Sequence, residues 1–218
     1  MPARISATVY PGSNGIVHVE REVSLGQSIH SKGVMILTGY LGSKYAQQYP
    51  LSISASIALE QSYGYIDGDS ASLGEVCALI SALADVPLQQ RFAITGSINQ
   101  FGEGLNEKIE GFFALCNERG LTGDQAVIIP RVNTFNLMLS AEVIQAVEQG
   151  QFSIYAVDCV DQALGLLTGM DVGEMDEHGQ FAPSSVNGRV VSRLKIIAEL
   201  NDDKDEAHEE AESETEKN

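Results

Sequence analysis

Basic residues are scarce in this sequence: its 218 residues hold 13 Lys and Arg against 30 Asp and Glu, a formal net charge of −17. A surface that grips phosphate needs an excess of positive charge, so neither a nucleic-acid partner nor an anionic membrane surface is expected. Part of the imbalance is local. From Asn201 to Asn218 nine acids face only Lys204 and Lys217, which predicts a disordered acidic tail (201–218) behind a single folded domain (1–200). Cysteine is scarcer still. Cys77, Cys116 and Cys159 are far apart, odd in number and set among apolar residues, without the CxxC or Cys/His spacing that holds zinc. They read as reduced core thiols, and no metal site is expected. No apolar run approaches the roughly 20 residues that span a bilayer. Nor does a signal peptide open the chain, and a cytoplasmic address is the expectation. A phosphate loop, GxxxxGK followed by Ser or Thr, is also missing, since Gly39 to Lys44 resembles one only superficially. ATP is therefore not expected to bind this chain by that route.

What is present is ordinary soluble-domain material, 44% hydrophobic and 20% charged. Arg4 to Tyr10 alternates, Pro11-Gly12-Ser13-Asn14-Gly15 supplies turn chemistry, and Ile16 to Glu22 alternates again, which predicts a hairpin. Helical spacing follows over Ile29 to Tyr45, then a strand with Ile53, Ala55, Ile57 and Leu59 on one face. Leu73, Cys77, Ile80 and Ala84 mark one side of a helix that begins near Ser70. Phe92 to Ile98 reads as a strand, and Leu105, Ile109, Phe112 and Cys116 as the next helix, stopped by Gly120. Strands at 126–129 and 152–157 flank a helix at 141–148. Helices with Val160, Ala163, Leu164 and Leu167, and over 190–200, complete the order. Strands and helices interleave, so the fold class is α/β (α+β) with mixed strand pairing.

Chemistry points first to Asp67-Gly68-Asp69-Ser70-Ala71-Ser72, a turn that runs into a helix start. A serine there is exposed and rigid together, and the unpaired N–H groups of the helix end suit an oxyanion. Capping alone also accounts for the segment, because Ser72-Leu73-Gly74-Glu75 has the form of a capping box. A Ser-His-Asp triad is poorly supported: His178 and His208 lie in acidic stretches, and His30 reads as a local partner at a helix start, which leaves His18. Lys108 is the better base. It shares a helical stripe with Leu105 and Phe112, and desolvation there lowers a lysine pKa so that it can take the proton from a serine hydroxyl. The alternative is that Lys108 snorkels from the stripe edge and pairs with Glu103 or Glu107.

Together these segments resemble the Lon protease family, its archaeal-type (LonB-like) branch above all, over about residues 3 to 195. The resemblance is carried by Ile29-His30-Ser31-Lys32-Gly33-Val34, by LEQSYGYIDGDSAS at Leu59 to Ser72, by TGSINQ at Thr95 to Gln100 and by GLNEKIEGFF at Gly104 to Phe113. It implies a fold like the second domain of ribosomal protein S five and a serine endopeptidase with a Ser-Lys dyad, Ser70 and Lys108. It further implies that Thr95 hydrogen-bonds the lysine and that Asp67 and Asp69 flank the nucleophile. Implied as partners are unfolded or damaged protein substrates, an ATPase module in cis or trans that alone would carry ATP, and a hexameric ring of copies. One departure stands out. Between Thr95 and Lys108 the family has several more residues, where this chain runs Phe101-Gly102-Glu103-Gly104. Either the loop is truly shorter or residues are missing from it. The second is the expectation, because a shortened loop would draw Lys108 out of hydrogen-bonding reach of Ser70. A chain that keeps the fold but only assembles or holds substrate is the rival reading. A small-molecule kinase with a phosphate at the helix start is a weaker one.

Overall fold

The computed structural model describes residues 2–12, 14–22, 25–26, 28–47, 49–61, 65, 68–96 and 104–215, without the side chains of 21, 28–30 and 202–215. Two three-stranded sheets organise it, of mixed α/β character throughout. The first contains β1 (Ile5–Pro11), β2 (Gly15–His18) and β3 (Ile53–Leu59) in the order β1-β3-β2. β1 and β2 therefore form no hairpin. β3 enters between them, antiparallel to β1 and parallel to β2. The reason lies in β3, whose Ile53, Ser54, Ala55 and Ile57 are all buried, whereas β1 is half-exposed along its length. A strand buried on both faces takes the centre of a sheet and leaves the half-exposed ones at its edges. Alternation also ends early after β2, because Val19–Glu22 turns into a short helix, α1.

α2 (Ser28–Tyr45) leads to β3, and α3 (Ser72–Ala84) follows it. Ten of the thirteen residues of α3 are buried, not one stripe, because the helix lies under the first sheet and against the helices α6 (Val160–Thr168) and α7 (Val186–Thr215). Each fully buried Leu or Ile there contributes about 1.5–3 kcal/mol relative to exposure. Gly74, in its first turn, is where the two sheets converge: a Cβ would stand 2.8 Å from Ile5 Cδ1 of β1 and 3.0 Å from Ile94 Cγ2.

The second sheet is wholly parallel, β4 (Phe92–Ile94), β5 (Ala126–Pro130) and β6 (Ser153–Val157), in chain order. α4 (Leu105–Arg119) connects β4 to β5. A 3-10 helix (Arg131–Asn136) and α5 (Ala141–Glu148) connect β5 to β6. β4 stops at Ile94, earlier than its alternation suggests, and Ile98 lies outside the described residues. On α4 the buried residues are Leu105, Ile109, Phe113 and Cys116; Phe112 is only half-buried. Cys77 and Cys116 are buried free thiols, but Cys159 is exposed, since it precedes α6 at the surface instead of facing the core. α7 runs past Leu200 into the acidic segment expected to lack structure, and its backbone is helical as far as Thr215. Glu, a good helix former, is the commonest residue of that extension, with five of positions 201–215. Among the described residues no helix is long and apolar enough to cross a membrane.

Candidate active site

The 60–71 connection from β3 to α3 ends in a turn that brings Ser70 to the seam between the sheets. Gly68 takes a left-handed φ of 95°, and the Ser72 N–H closes the turn on Asp69 O at 3.0 Å. Two further bonds tie this turn to the end of β4. The Gly96 N–H donates to Ser70 O at 2.8 Å, and the Leu73 N–H to Gly96 O at 3.2 Å. Only glycine suits position 96: its φ is 135°, and a Cβ would collide with Cγ and Cδ of Pro130. That role was visible in the sequence only as the middle residue of TGS. α2 closes the other side, where Gly33 lets the helix backbone lie against Asp69.

Ser70 is the residue two before the helix, and Ala71 takes the capping position with no side-chain cap bond. The capping-box reading is thus replaced: Ser72 is already helical, and Glu75 turns to buried His18, with Oε1 3.2 Å from Nε2. A partner 57 residues away outcompetes the local bond. Among the described residues the backbone N–H groups of Ser70 and Ala71 donate to no acceptor, so they are available to a developing negative charge.

Lys108 stands one turn into α4, its side chain at the exposed edge of the Leu105/Ile109/Phe113 stripe. Its Nζ donates to Ser70 Oγ at 2.8 Å. With the connection as short as the sequence gives it, the lysine lies within reach of the serine. The connection itself, 97–103, lies outside the described residues. Partial desolvation pulls the Lys108 pKa below the usual lysine range, while the Asp69 carboxylate opposes this and raises it. The first influence is the larger.

The other candidates are placed as follows. Asp69 adjoins Ser70 and acts on Lys108 through its charge. Asp67 lies outside the described residues. Thr95 follows β4 with its N–H on Ile128 O at 3.1 Å, and among the described residues its hydroxyl makes no hydrogen bond to Lys108. No described histidine side chain hydrogen-bonds Ser70: His18 is sealed in the core and His178 is exposed. Among the described residues no group of three or more His, Cys, Asp or Glu could hold a metal ion.

Comparison with known proteins gives several relatives and no matching family model. The chain is 53% identical over 171 residues to a protein of Escherichia coli named "Putative Lon protease homolog", a match covering 76% of this chain and 29% of that one. It is 47% identical over 198 residues to a protein of the same name from Haemophilus influenzae, covering 88% of this chain and 33% of the other. An "Archaeal Lon protease" of Thermococcus kodakarensis is 31% identical over 184 residues, covering 75% and 27%. The chain thus spans about a third of the length of these relatives or less.

Proposed function

We propose that this chain, which belongs to the Lon protease family and corresponds to its proteolytic domain, hydrolyses peptide bonds with Ser70 as nucleophile and Lys108 as its general base. The observation that carries this reading is the 2.8 Å hydrogen bond from Lys108 Nζ to Ser70 Oγ, with the lysine pKa drawn down by desolvation. Charged, the lysine donates to the hydroxyl. Once it has lost a proton, its lone pair faces the same hydroxyl and accepts that proton as Oγ attacks the scissile carbonyl. The N–H groups of Ser70 and Ala71 face the forming oxyanion, and the ammonium then protonates the leaving amine. The neutral lysine next activates a water that releases the acyl group. Unfolded or damaged proteins are the substrates this reading implies, delivered by an ATPase module in cis or trans to a hexamer of these domains. The dyad contact favours turnover over a role confined to assembly or substrate holding.

Hydrolysis of an unstructured peptide tests the reading. Ser70→Ala and Lys108→Met are each expected to lower kcat by at least about a thousandfold while the domain stays folded. Full activity in either variant contradicts it.

A further inference from the structure

Three ionisable side chains lie inside the molecule and take no part in that chemistry. His18 closes β2, Glu20 follows in α1, and Glu75 comes from the first turn of α3, with exposures of 0%, 3% and 1%. His18 Nε2 is hydrogen-bonded with Glu75 Oε1 at 3.2 Å, and its Nδ1 lies 2.9 Å from Glu20 Oε2. Glu20 Oε2 itself forms no hydrogen bond, so the second contact is a close approach only. Burial in a low-dielectric interior strengthens such polar contacts. Carboxylates withdrawn from water cost several kcal/mol each unless paired, so such a cluster is a poor means of adding stability. What it fixes is geometry.

Its placement shows which geometry. Glu20 Oε1 accepts the N–H of Leu59, the last residue of β3, at 2.7 Å, and Glu20 O accepts the N–H groups of Leu25 and Gly26. Glu75 lies one turn beyond Ser70, with its own N–H on Ala71 O at 2.9 Å. The cluster therefore grips both ends of the 60–71 connection, one end through Glu20 and the other through Glu75, and His18 joins the two. We propose that His18, Glu20 and Glu75 are positioning residues, a buried clamp that holds Ser70 opposite Lys108. The clamp rests on the Ser-Lys reading for its purpose, though not for its existence.

Glu75→Leu removes the acceptor of His18 Nε2, and Glu75→Gln keeps one. The full chain carrying each is compared with wild type and with Val143→Ala, a cavity variant in the second sheet's core. In Glu75→Leu, kcat on a peptide is expected to fall roughly a hundredfold with KM unchanged, as a small misplacement of a nucleophile does. Amide exchange at Leu59 and Leu73 should quicken about tenfold or more, with Ile128 unaffected. Glu75→Gln recovers most of both, and Val143→Ala reproduces neither. Where Glu75→Leu does not fold, Glu75→Asp, which withdraws the carboxylate by one methylene and keeps its charge, is read in the same way. Unchanged kcat in active protein, or faster exchange spread evenly over the chain, overturns the clamp. If the wild-type chain cleaves nothing yet exchange loosens at Leu59 and Leu73 alone, the clamp stands and the Ser-Lys reading fails.

Discussion

Ser70 and Lys108 reach the same point by opposite physical means. The serine's turn is held by directional bonds: two to Gly96, one closing on Asp69 O, and the buried polar cluster at its base. The lysine's helix is held mostly by packing that has little direction, with Leu105, Ile109 and Phe113 set against Val127, Ile129 and Phe152. Asn106 donates to Asn136 O and accepts the Met138 N–H, and Glu110 Oε1 accepts the Ser140 N–H, which adds a lateral tether. On the proposed reading, a nucleophile that must meet a carbonyl within tenths of an ångström gains from directional restraint, whereas a long flexible lysine tolerates a helix placed by packing. The base arm should therefore survive loosening that the nucleophile arm does not.

Gly96→Ala strikes the directional side hardest. The collision with Pro130 and the positive φ together should cost about 3–5 kcal/mol, and activity should fall out of proportion to any unfolding. Denaturant titration beside peptide hydrolysis checks both. Ile109→Ala, at a fully buried site on the other arm, should cost about 2–4 kcal/mol and leave most of kcat in the folded fraction. If its kcat falls as far as that of Gly96→Ala, the contrast between the arms is lost. Asp69→Asn has the smallest effect. Its carboxylate favours the charged lysine, so removal lowers the Lys108 pKa further and moves the rising limb of the pH-rate profile to lower pH. In stability the sign is linked. The folded chain releases the Lys108 proton before the unfolded one, so stability rises with pH from the depressed value up to about 10.4, where an unfolded lysine titrates.

These contrasts also mark what the sequence disclosed. That Ser70 and Lys108 would meet was legible because each carries a local signature, a turn entering a helix and a cation beside an apolar stripe. Most helices and the second sheet's strands were legible by period for the same reason. The first sheet was not, because β3 separates β1 from β2, and no local pattern announces an insertion made by a strand some forty positions on. Glu75 looked like half of a capping box until a histidine 57 residues away claimed it. Phe113, not Phe112, faces the core because the stripe of α4 follows the exact winding of the helix, which spacing fixes only to within a residue. The short connection after Thr95 was read as a threat to the dyad; the 2.8 Å contact exists with it in place.

The most direct test is covalent. The chain is treated with a small fluorophosphonate across a pH series, and the modified residue is located by peptide mass spectrometry in wild type and in Lys108→Met. The account predicts a single adduct on Ser70 whose rate rises with pH through the depressed Lys108 pKa and nearly vanishes in the variant. Equal labelling of Ser70 in the two proteins, or none in either, would contradict it.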